Sequence, residues 1–211
     1  MADTPKPPLG PGANPGRRGF FRELGRWAME ETFQIAEPFI DDFIERMEPA
    51  LAAMTGPQVV RPPGAIDEKK FRETCTSCGK CIAACPHGSI IRASEEVFPE
   101  IAGQPILLPR NRPCYYCDSF YCQEACPSGA LLPVPERPQM RLGTAKVFGS
   151  LCIAHHGQEC NSCHLICPLK GSAITVERGL PVVHPEACTG CGLCEYACPT
   201  HPAAIRVLTD R

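Results

Sequence analysis

Hydrophobic side chains recur every three or four positions over residues 20–54, and charged side chains occupy positions between them. This period predicts amphipathic helices. Pro38 and Pro49 interrupt the pattern, and because a helix tolerates proline in its first turn, Pro38 is expected to begin a second helix. We therefore predict a helical arm over residues 17–55. The arm either covers the domain that follows or binds a partner subunit, and amphipathic helices more often cover a core.

The segments on either side of this arm are poor in large apolar side chains. Residues 1–16 consist mainly of proline, glycine and small residues, a composition typical of a disordered tail. Residues 56–66 contain the run Pro62-Pro63-Gly64 and are interpreted as a linker. The remaining domain is expected to span residues 67–211.

Beyond residue 67 the apolar residues come in short runs, which are typical of short β-strands. Gly179 separates two of these runs, and this predicts a β-hairpin. A short apolar run follows each of four cysteine groups, so the domain repeats one unit that must pair with another copy to bury its core. The predicted strands lie at residues 89–92, 97–109, 129–132, 144–148, 173–177, 181–184 and 204–208.

All sixteen cysteines fall into four groups of four, with none left over. The first and fourth groups read C-x2-C-x2-C-x3-C-P, a run in which three thiolates hold one iron–sulfur cluster and the fourth binds a neighbouring cluster. The second and third groups carry extra residues between their ligands. We predict four [4Fe-4S] clusters with these ligands: Cys75, Cys78, Cys81, Cys85, Cys114, Cys117, Cys122, Cys126, Cys152, Cys160, Cys163, Cys167, Cys188, Cys191, Cys194 and Cys198.

Two other interpretations of a cysteine-rich chain are weaker. A secreted disulfide scaffold is disfavoured because the cysteines form tight groups suited to multidentate metal binding. Four thiolates also satisfy a tetrahedral zinc ion, but zinc sites usually combine two separated C-x2-C pairs. A zinc-stabilised interaction protein therefore remains the least favoured of our hypotheses.

Composition and charge exclude several other classes of function. The net charge of −2 offers no basic surface for nucleic acid, and no apolar stretch approaches the length of a membrane span. No phosphate-binding loop and no unassigned cysteine are present, so we expect an electron carrier and not an enzyme. The alternative is an electron-transfer subunit that is permanently docked on a larger oxidoreductase.

Residues 71–208 resemble the MauM/NapG family, the four-cluster ferredoxin-type subunits of periplasmic nitrate reductase and methylamine-utilisation systems. The resemblance rests on the order of the four cysteine groups, on residues 113–117 and 125–131, on the C-x7-C-x2-C spacing before Cys167, and on residues 181–192. It implies an α+β fold of duplicated bacterial dicluster ferredoxin-like modules with a helical N-terminal arm. It also implies redox partner proteins, such as a quinol-oxidising membrane subunit or a catalytic oxidoreductase subunit.

The resemblance further implies that the first cysteine group pairs with the fourth, and the second with the third. The outer module would then enclose the inner one. The implied ligand sets are Cys75, Cys78, Cys81 with Cys198; Cys188, Cys191, Cys194 with Cys85; Cys114, Cys117, Cys122 with Cys167; and Cys152, Cys160, Cys163 with Cys126.

A short motif near the N-terminus bears on the compartment. The run from Arg17 to Phe21 is similar to a twin-arginine export motif. An export signal also needs an apolar stretch of roughly 7–15 residues, and here the charged residues Glu23, Arg26, Glu30 and Glu31 stand in its place. We therefore expect the protein in the cytoplasm, with periplasmic twin-arginine export as the alternative.

A reporter fused after residue 60 tests this expectation. Because the charged residues interrupt the apolar stretch, we expect the reporter to stay in the cytoplasm. The control carries Lys in place of both Arg17 and Arg18. Export of the parent fusion that the lysine variant abolishes would overturn the cytoplasmic prediction.

Overall fold

The structure, a computed structural model, describes residues 59–209. The tail predicted over residues 1–16 and the helical arm predicted over residues 17–55 lie outside the described residues. Within the described part, short helices alternate with two-stranded antiparallel sheets, as expected of a mixed α+β protein. Among these residues no helix is both long enough and apolar enough to cross a membrane.

Five short α-helices and six short strands make up the regular structure of the described residues. The helices are α1 Glu68–Thr74, α2 Lys80–Ala83, α3 Tyr121–Glu124, α4 Ser162–Ile166 and α5 Leu193–Tyr196. The strands are β1 Ile91–Arg92, β2 Pro105–Ile106, β3 Thr144–Val147, β4 Ile174–Glu177, β5 Leu180–Val183 and β6 Ile205–Leu208. Single turns of 3-10 helix lie at Pro99–Ile101, Arg137–Gln139 and Ile153–His156.

The strands pair in three antiparallel sheets: β1 with β2, β3 with β6, and β4 with β5. The predicted hairpin is confirmed, because β4 and β5 are joined by Arg178 and Gly179 alone. Both turn residues have positive φ, +51° and +82°, the backbone that a two-residue hairpin turn of the favoured twist requires. In place of the strand predicted over residues 129–132 there is a single bridge between Ala65 and Leu131.

The two largest of four hydrophobic clusters among the described residues define two consecutive modules. We call residues 59–142 the N-terminal module and residues 143–209 the C-terminal module. The first core is built on Val60, Phe71, Cys81, Ile90, Leu107, Cys114, Tyr116, Cys122, Ala130, Leu131, Met140, Leu142 and, from the end of the chain, Val207. The second is built on Ala145, Cys163, Ala173, Ile174, Cys188, Cys194 and Ile205. Cysteines contribute to both cores, so the predicted cluster ligands are part of the packing.

The modules meet through backbone at very short range. The N–H of Leu142 donates to the carbonyl of Thr189 at 2.9 Å, and the N–H of Cys114 donates to that of Cys191 at 2.8 Å. Gly190 has φ +69°, and a Cβ there would lie 2.4 Å from the carbonyl oxygen of Gly143. Any side chain at Gly190 would therefore displace the backbone of Gly143, directly after Leu142 at the module boundary.

The linker predicted over residues 56–66 is wrong for the part that the structure describes. Val60 is fully buried and exchanges backbone hydrogen bonds with Leu107, at 3.3 and 2.7 Å. Gly64 has φ +79°, and a Cβ on it would come within 2.0 Å of the carbonyl oxygen of Leu132. From residue 59 onward, proline and glycine in this segment thus serve an extended chain that packs against its neighbours.

Arg61 lies at the centre of this buried segment, with its side chain only 1% exposed. Its guanidinium binds the carboxylate of Glu68 through two hydrogen bonds, at 2.9 and 2.6 Å, and also donates to the side chain of Gln104 at 2.9 Å. The same group stacks over the ring of Phe71, 4.5 Å from its centre. Burial acts to raise the pKa of Glu68, but Arg61 and Arg72 outweigh it and hold this pKa below its usual value.

Substituting Arg61 with Gln should destabilise the N-terminal module. Breaking a buried ion pair costs about 3–5 kcal/mol, and we expect about 2–3 because Glu68 is partly exposed. For a chain of this size that loss lowers the midpoint of thermal unfolding by roughly 4–12 °C, which circular dichroism would measure.

The matched control is Arg72→Gln, which removes an exposed partner of the same carboxylate. An exposed ion pair contributes little, so this variant should unfold within about 2 °C of the parent chain. Equal losses in the two variants would show that burial of Arg61 does not matter.

Candidate metal centres

The third cysteine of every group lies in a short helix and is buried. Each helix is four or five residues long, and its cysteine is between 6% and 9% exposed. The four are Cys81 in α2, Cys122 in α3, Cys163 in α4 and Cys194 in α5. In each repeated unit, the part that carries the first three cysteines is therefore a loop that ends in one helical turn.

The backbone just before these helices differs between the regular cysteine groups, the first and fourth, and the expanded groups, the second and third. In the first and fourth groups a glycine of positive φ starts the helix, Gly79 at +76° and Gly192 at +85°. A Cβ at Gly192 would lie 2.6 Å from the Cβ of Pro109, so glycine is required by both conformation and space. In the second and third groups Phe120 and Asn161 stand at this position with negative φ. The extra residues of those groups thus lie in loops that reach the helix by another backbone path.

In the N-terminal module, the first and second cysteine groups pack together. Helix α2 contacts α3. Cys85, the last cysteine of the first group, lines one cavity with Cys114, Cys117 and Cys122. Burial, followed by the thiol of Cys85, raises the pKa of Cys122 to about 12.

The last cysteine of the second group crosses in the opposite direction. Burial comes first among the causes that raise the pKa of Cys81 to about 11, and the thiols of Cys75, Cys126 and Cys78 follow. Cys126 therefore lies among the first three cysteines of the first group. The exchange of fourth cysteines between the two groups is complete within this module.

The C-terminal module repeats the exchange with the third and fourth groups. Helix α4 contacts α5, and Cys198 lines a cavity with Cys152, Cys160 and Cys163. The reciprocal set contains Cys167, which acts on the thiols of the fourth group. Burial, and then Cys167 and Cys188, raise the pKa of Cys191 to about 11.

The nested pairing implied by the resemblance is therefore wrong. It placed Cys198 with the first group and Cys126 with the third, whereas the structure brings Cys198 to the third group and Cys126 to the first. It also placed Cys85 with the fourth group and Cys167 with the second, and these are likewise exchanged. The physical reason is the position of the fourth cysteine, which comes directly after the helix of its own group. Its thiol therefore reaches the cysteines of the neighbouring group, whose helix packs against the first one. The two modules are consecutive, not nested.

Burial is the main influence on the thiols that face inward. It raises the pKa of Cys114 to about 12 and that of Cys194 well above the usual value for a thiol. Such thiols stay protonated at neutral pH in the metal-free chain. Binding a metal or cluster requires the thiolate, so loading these sites releases protons.

Hydrogen-bond donors surround the fourth cysteines. The N–H groups of Ser89 and Ala204 point at the sulfurs of Cys85 and Cys198, each at 3.3 Å. Burial acts to raise the pKa of Cys198, but the Thr200 hydroxyl and nearby backbone N–H groups outweigh it and lower this pKa. Such donors stabilise negative charge on sulfur, which is what a cluster ligand carries.

The donor sets fit polynuclear clusters. None of the sixteen cysteines forms a disulfide. From residue 59 to residue 209, no three His, Cys, Asp or Glu side chains are grouped as ligands of a single metal ion would be. Eight of the cysteines line two shared cavities, four in each, an arrangement suited to a [4Fe-4S] cluster whose four thiolates bind different irons.

Four aromatic residues lie in or beside the second cysteine group: Tyr115, Tyr116, Phe120 and Tyr121. Tyr115, Phe120 and Tyr121 line the cavity that holds Cys85. Tyr116 is buried in the first core, and Tyr115 stacks on His87 with ring centres 4.5 Å apart. Aromatic rings therefore cover this cavity.

Sequence reasoning missed two charged residues beside the fourth group. Glu195 is only 5% exposed, and its carboxylate accepts a hydrogen bond from the N–H of Val207 at 2.7 Å. Arg110 reaches from the N-terminal module to backbone carbonyls around Cys198. Glu195 could have been noticed from the sequence because it lies inside a cysteine motif. Arg110 could not, because its partners lie 85 to 90 residues away in the sequence.

Two protein-family models match parts of this chain. The family described as 4Fe-4S dicluster domain matches residues 74–130, which span the first two cysteine groups as one unit. The family described as 4Fe-4S binding domain matches residues 181–202, around the fourth group.

Several whole proteins are also similar to this chain. The methylamine utilization ferredoxin-type protein MauM of Paracoccus denitrificans is 40% identical over 161 residues, covering 72% of this chain and 71% of that protein. MauM of Methylobacillus flagellatus is 36% identical over 204 residues, covering 92% and 84%. The ferredoxin-type protein NapG of Escherichia coli is 37% identical over 162 residues, covering 71% and 70%.

Proposed function

Because this chain belongs to the MauM/NapG family of ferredoxin-type iron–sulfur electron-transfer proteins, we propose that it carries electrons on four [4Fe-4S] clusters held by its sixteen cysteines. The observation that carries the proposal is the exchange of fourth cysteines within each module. The proposed ligand sets are Cys75, Cys78, Cys81 with Cys126; Cys114, Cys117, Cys122 with Cys85; Cys152, Cys160, Cys163 with Cys198; and Cys188, Cys191, Cys194 with Cys167.

A bound cluster supplies reversible one-electron chemistry. The protein's own residues set how readily that electron is accepted, through burial, nearby charge and hydrogen bonds to sulfur. The N–H groups of Ser89, Ala145 and Ala204 donate to the sulfurs of Cys85, Cys188 and Cys198 at 3.3–3.4 Å. Such donors stabilise the more negative, reduced state of a bound cluster and so favour its reduction.

Electrons must also enter and leave the protein. All but one of the sixteen cysteines are buried or partly buried, and the exposed one is Cys78. We propose that a redox partner approaches at this surface. The proposed partners are a donor, such as a quinol-oxidising membrane subunit, and a catalytic oxidoreductase subunit as acceptor.

We propose a cytoplasmic location on the argument given for residues 17–31. The alternative form of the function is a subunit docked permanently on its oxidoreductase. Purification of the tagged chain at moderate salt separates the two, because only a permanent subunit brings its partner in constant stoichiometry.

Four clusters per chain predict a defined metal content. Anaerobically purified protein should contain about sixteen iron and sixteen acid-labile sulfide per chain, because each [4Fe-4S] cluster supplies four of each. Elemental analysis with a sulfide assay provides the measurement. Stoichiometric zinc with little sulfide would instead favour the zinc-stabilised alternative.

The exchange of fourth cysteines predicts which set each of them serves. In Cys198→Ala, native alkylation with iodoacetamide should label Cys152, Cys160 and Cys163, because their cluster has lost a ligand. Iron should fall towards roughly twelve per chain. Peptide mass spectrometry identifies the labelled positions.

The matched variant is Cys126→Ala, in the other module. Here labelling should move to Cys75, Cys78 and Cys81 and leave the C-terminal module protected. Labelling of the first group in Cys198→Ala would restore the nested arrangement and contradict the consecutive one.

A further inference from the structure

Arg110 lies in a tight turn of the N-terminal module, between β2 and Cys114. The N–H groups of Asn111 and Arg112 donate to the carbonyl of Leu108 at 2.9 and 2.7 Å, so the backbone at Arg110 is held firmly. Its side chain leaves its own module and ends against the segment that follows α5.

The guanidinium of Arg110 binds three carbonyl oxygens of that segment. Nη1 donates to the carbonyls of Glu195 and Cys198 at 2.7 and 2.8 Å, and Nη2 donates to that of Thr200 at 3.0 Å. Nη2 also lies 3.1 and 3.2 Å from the two ring nitrogens of His201. Carbonyls at the end of a helix lack helical partners, and arginine is suited to bind several at once because its donors form a rigid fork.

These contacts place a fixed positive charge beside Cys198 from the neighbouring module. The sulfur of Cys198 lines the cavity of Cys152, Cys160 and Cys163 and accepts the N–H of Ala204 at 3.3 Å. The segment that Arg110 holds therefore carries a thiol of one proposed set, while α5 carries a thiol of another.

We propose that Arg110 is a positioning residue that holds the Cys198 segment and raises the reduction potential of the cluster to which Cys198 contributes; this rests on the proposed function. Reduction adds one electron, taken from the redox partner, and hence one negative charge to this site. A nearby fixed positive charge stabilises the added charge, and does so more strongly in a partly buried position than in water. Because the N-terminal module supplies Arg110, the potential depends on the docking of the two modules.

The neighbouring charges act within the same region. Glu195 is buried, and burial raises its pKa, whereas Arg206 and Arg110 lower it. Removing Arg110 therefore withdraws a positive charge from this region together with the hydrogen bonds that hold the Cys198 segment. The Cys198 site is the one expected to respond most, since Arg110 binds the backbone of its ligand directly.

The test compares Arg110→Gln, Arg110→Lys and the control Arg112→Gln in the full-length protein. Arg112 lies in the same turn, but it donates to the carbonyl of Gly88 within its own module. Potentials are measured by redox titration followed by electron paramagnetic resonance, and Cys198→Ser identifies the signal of the Cys198 site by changing a ligand atom. Iron and sulfide are measured on every sample.

We expect Arg110→Gln to disfavour reduction of the Cys198 site by about three- to tenfold, where tenfold equals about 59 mV for one electron. Arg110→Lys keeps the charge and should recover most of the parent potential, and Arg112→Gln should leave this potential unchanged. If Arg110→Gln loses the Cys198 cluster, recovery of iron and potential in Arg110→Lys supports the same role.

Unchanged potentials in Arg110→Gln with full iron content would overturn the inference. So would an equal shift of all four potentials, or a lysine variant that behaves as the glutamine variant does. A parent protein without iron and sulfide is a different outcome, because it would contradict the proposed function itself.

Discussion

The exchange of a cysteine between paired loops is the constraint on which the described structure depends. In the proposed ligand sets neither loop of a pair completes its own set, so each must pack on the other before four thiols converge. The helix that carries the third cysteine is one turn long and would not be stable alone. Contact between α2 and α3, and between α4 and α5, therefore supplies both the core and the metal centres. In the proposed ligand sets, the contacts that pack the paired helices also bring the four thiols of each set together.

A thin hydrophobic core makes the protein depend on polar contacts as well. The sheets of the described residues have two strands each. The segments between them are held by individual backbone hydrogen bonds and by two arginines, the buried Arg61 and the partly buried Arg110. Arg61 connects the first strand-like segment to α1, and Arg110 connects the two modules. Both side chains bind several partners that are distant in sequence, which is how long polar side chains replace missing apolar contacts.

Local sequence patterns predicted local features well. The hairpin around Gly179 and the strands β3 and β6 were expected from neighbouring residues. The single helical turn within each cysteine group was not predicted. The sixteen cysteines were recognised as ligands from spacing alone, and that assignment stays a prediction. The pairing of groups could not be obtained in this way, because a C-x2-C-x2-C-x3-C run is equally complementary to any other such run. The segment around Pro62 was misread because linkers and tightly packed extended chains share the same composition.

The pairing of β3 with β6 has a consequence for how such a chain can arise. Thr144 stands opposite Leu208, so the C-terminal module starts and finishes at the same place. Units whose ends are adjacent are readily appended or inserted, since the host chain needs no rethreading. With every proposed ligand exchange completed inside one module, a tandem duplication of an ancestral two-cluster gene would produce this architecture in a single step. Later divergence would then need to adapt the contacts between the modules, such as those of Leu142 with Thr189 and of Arg110 with the segment after α5.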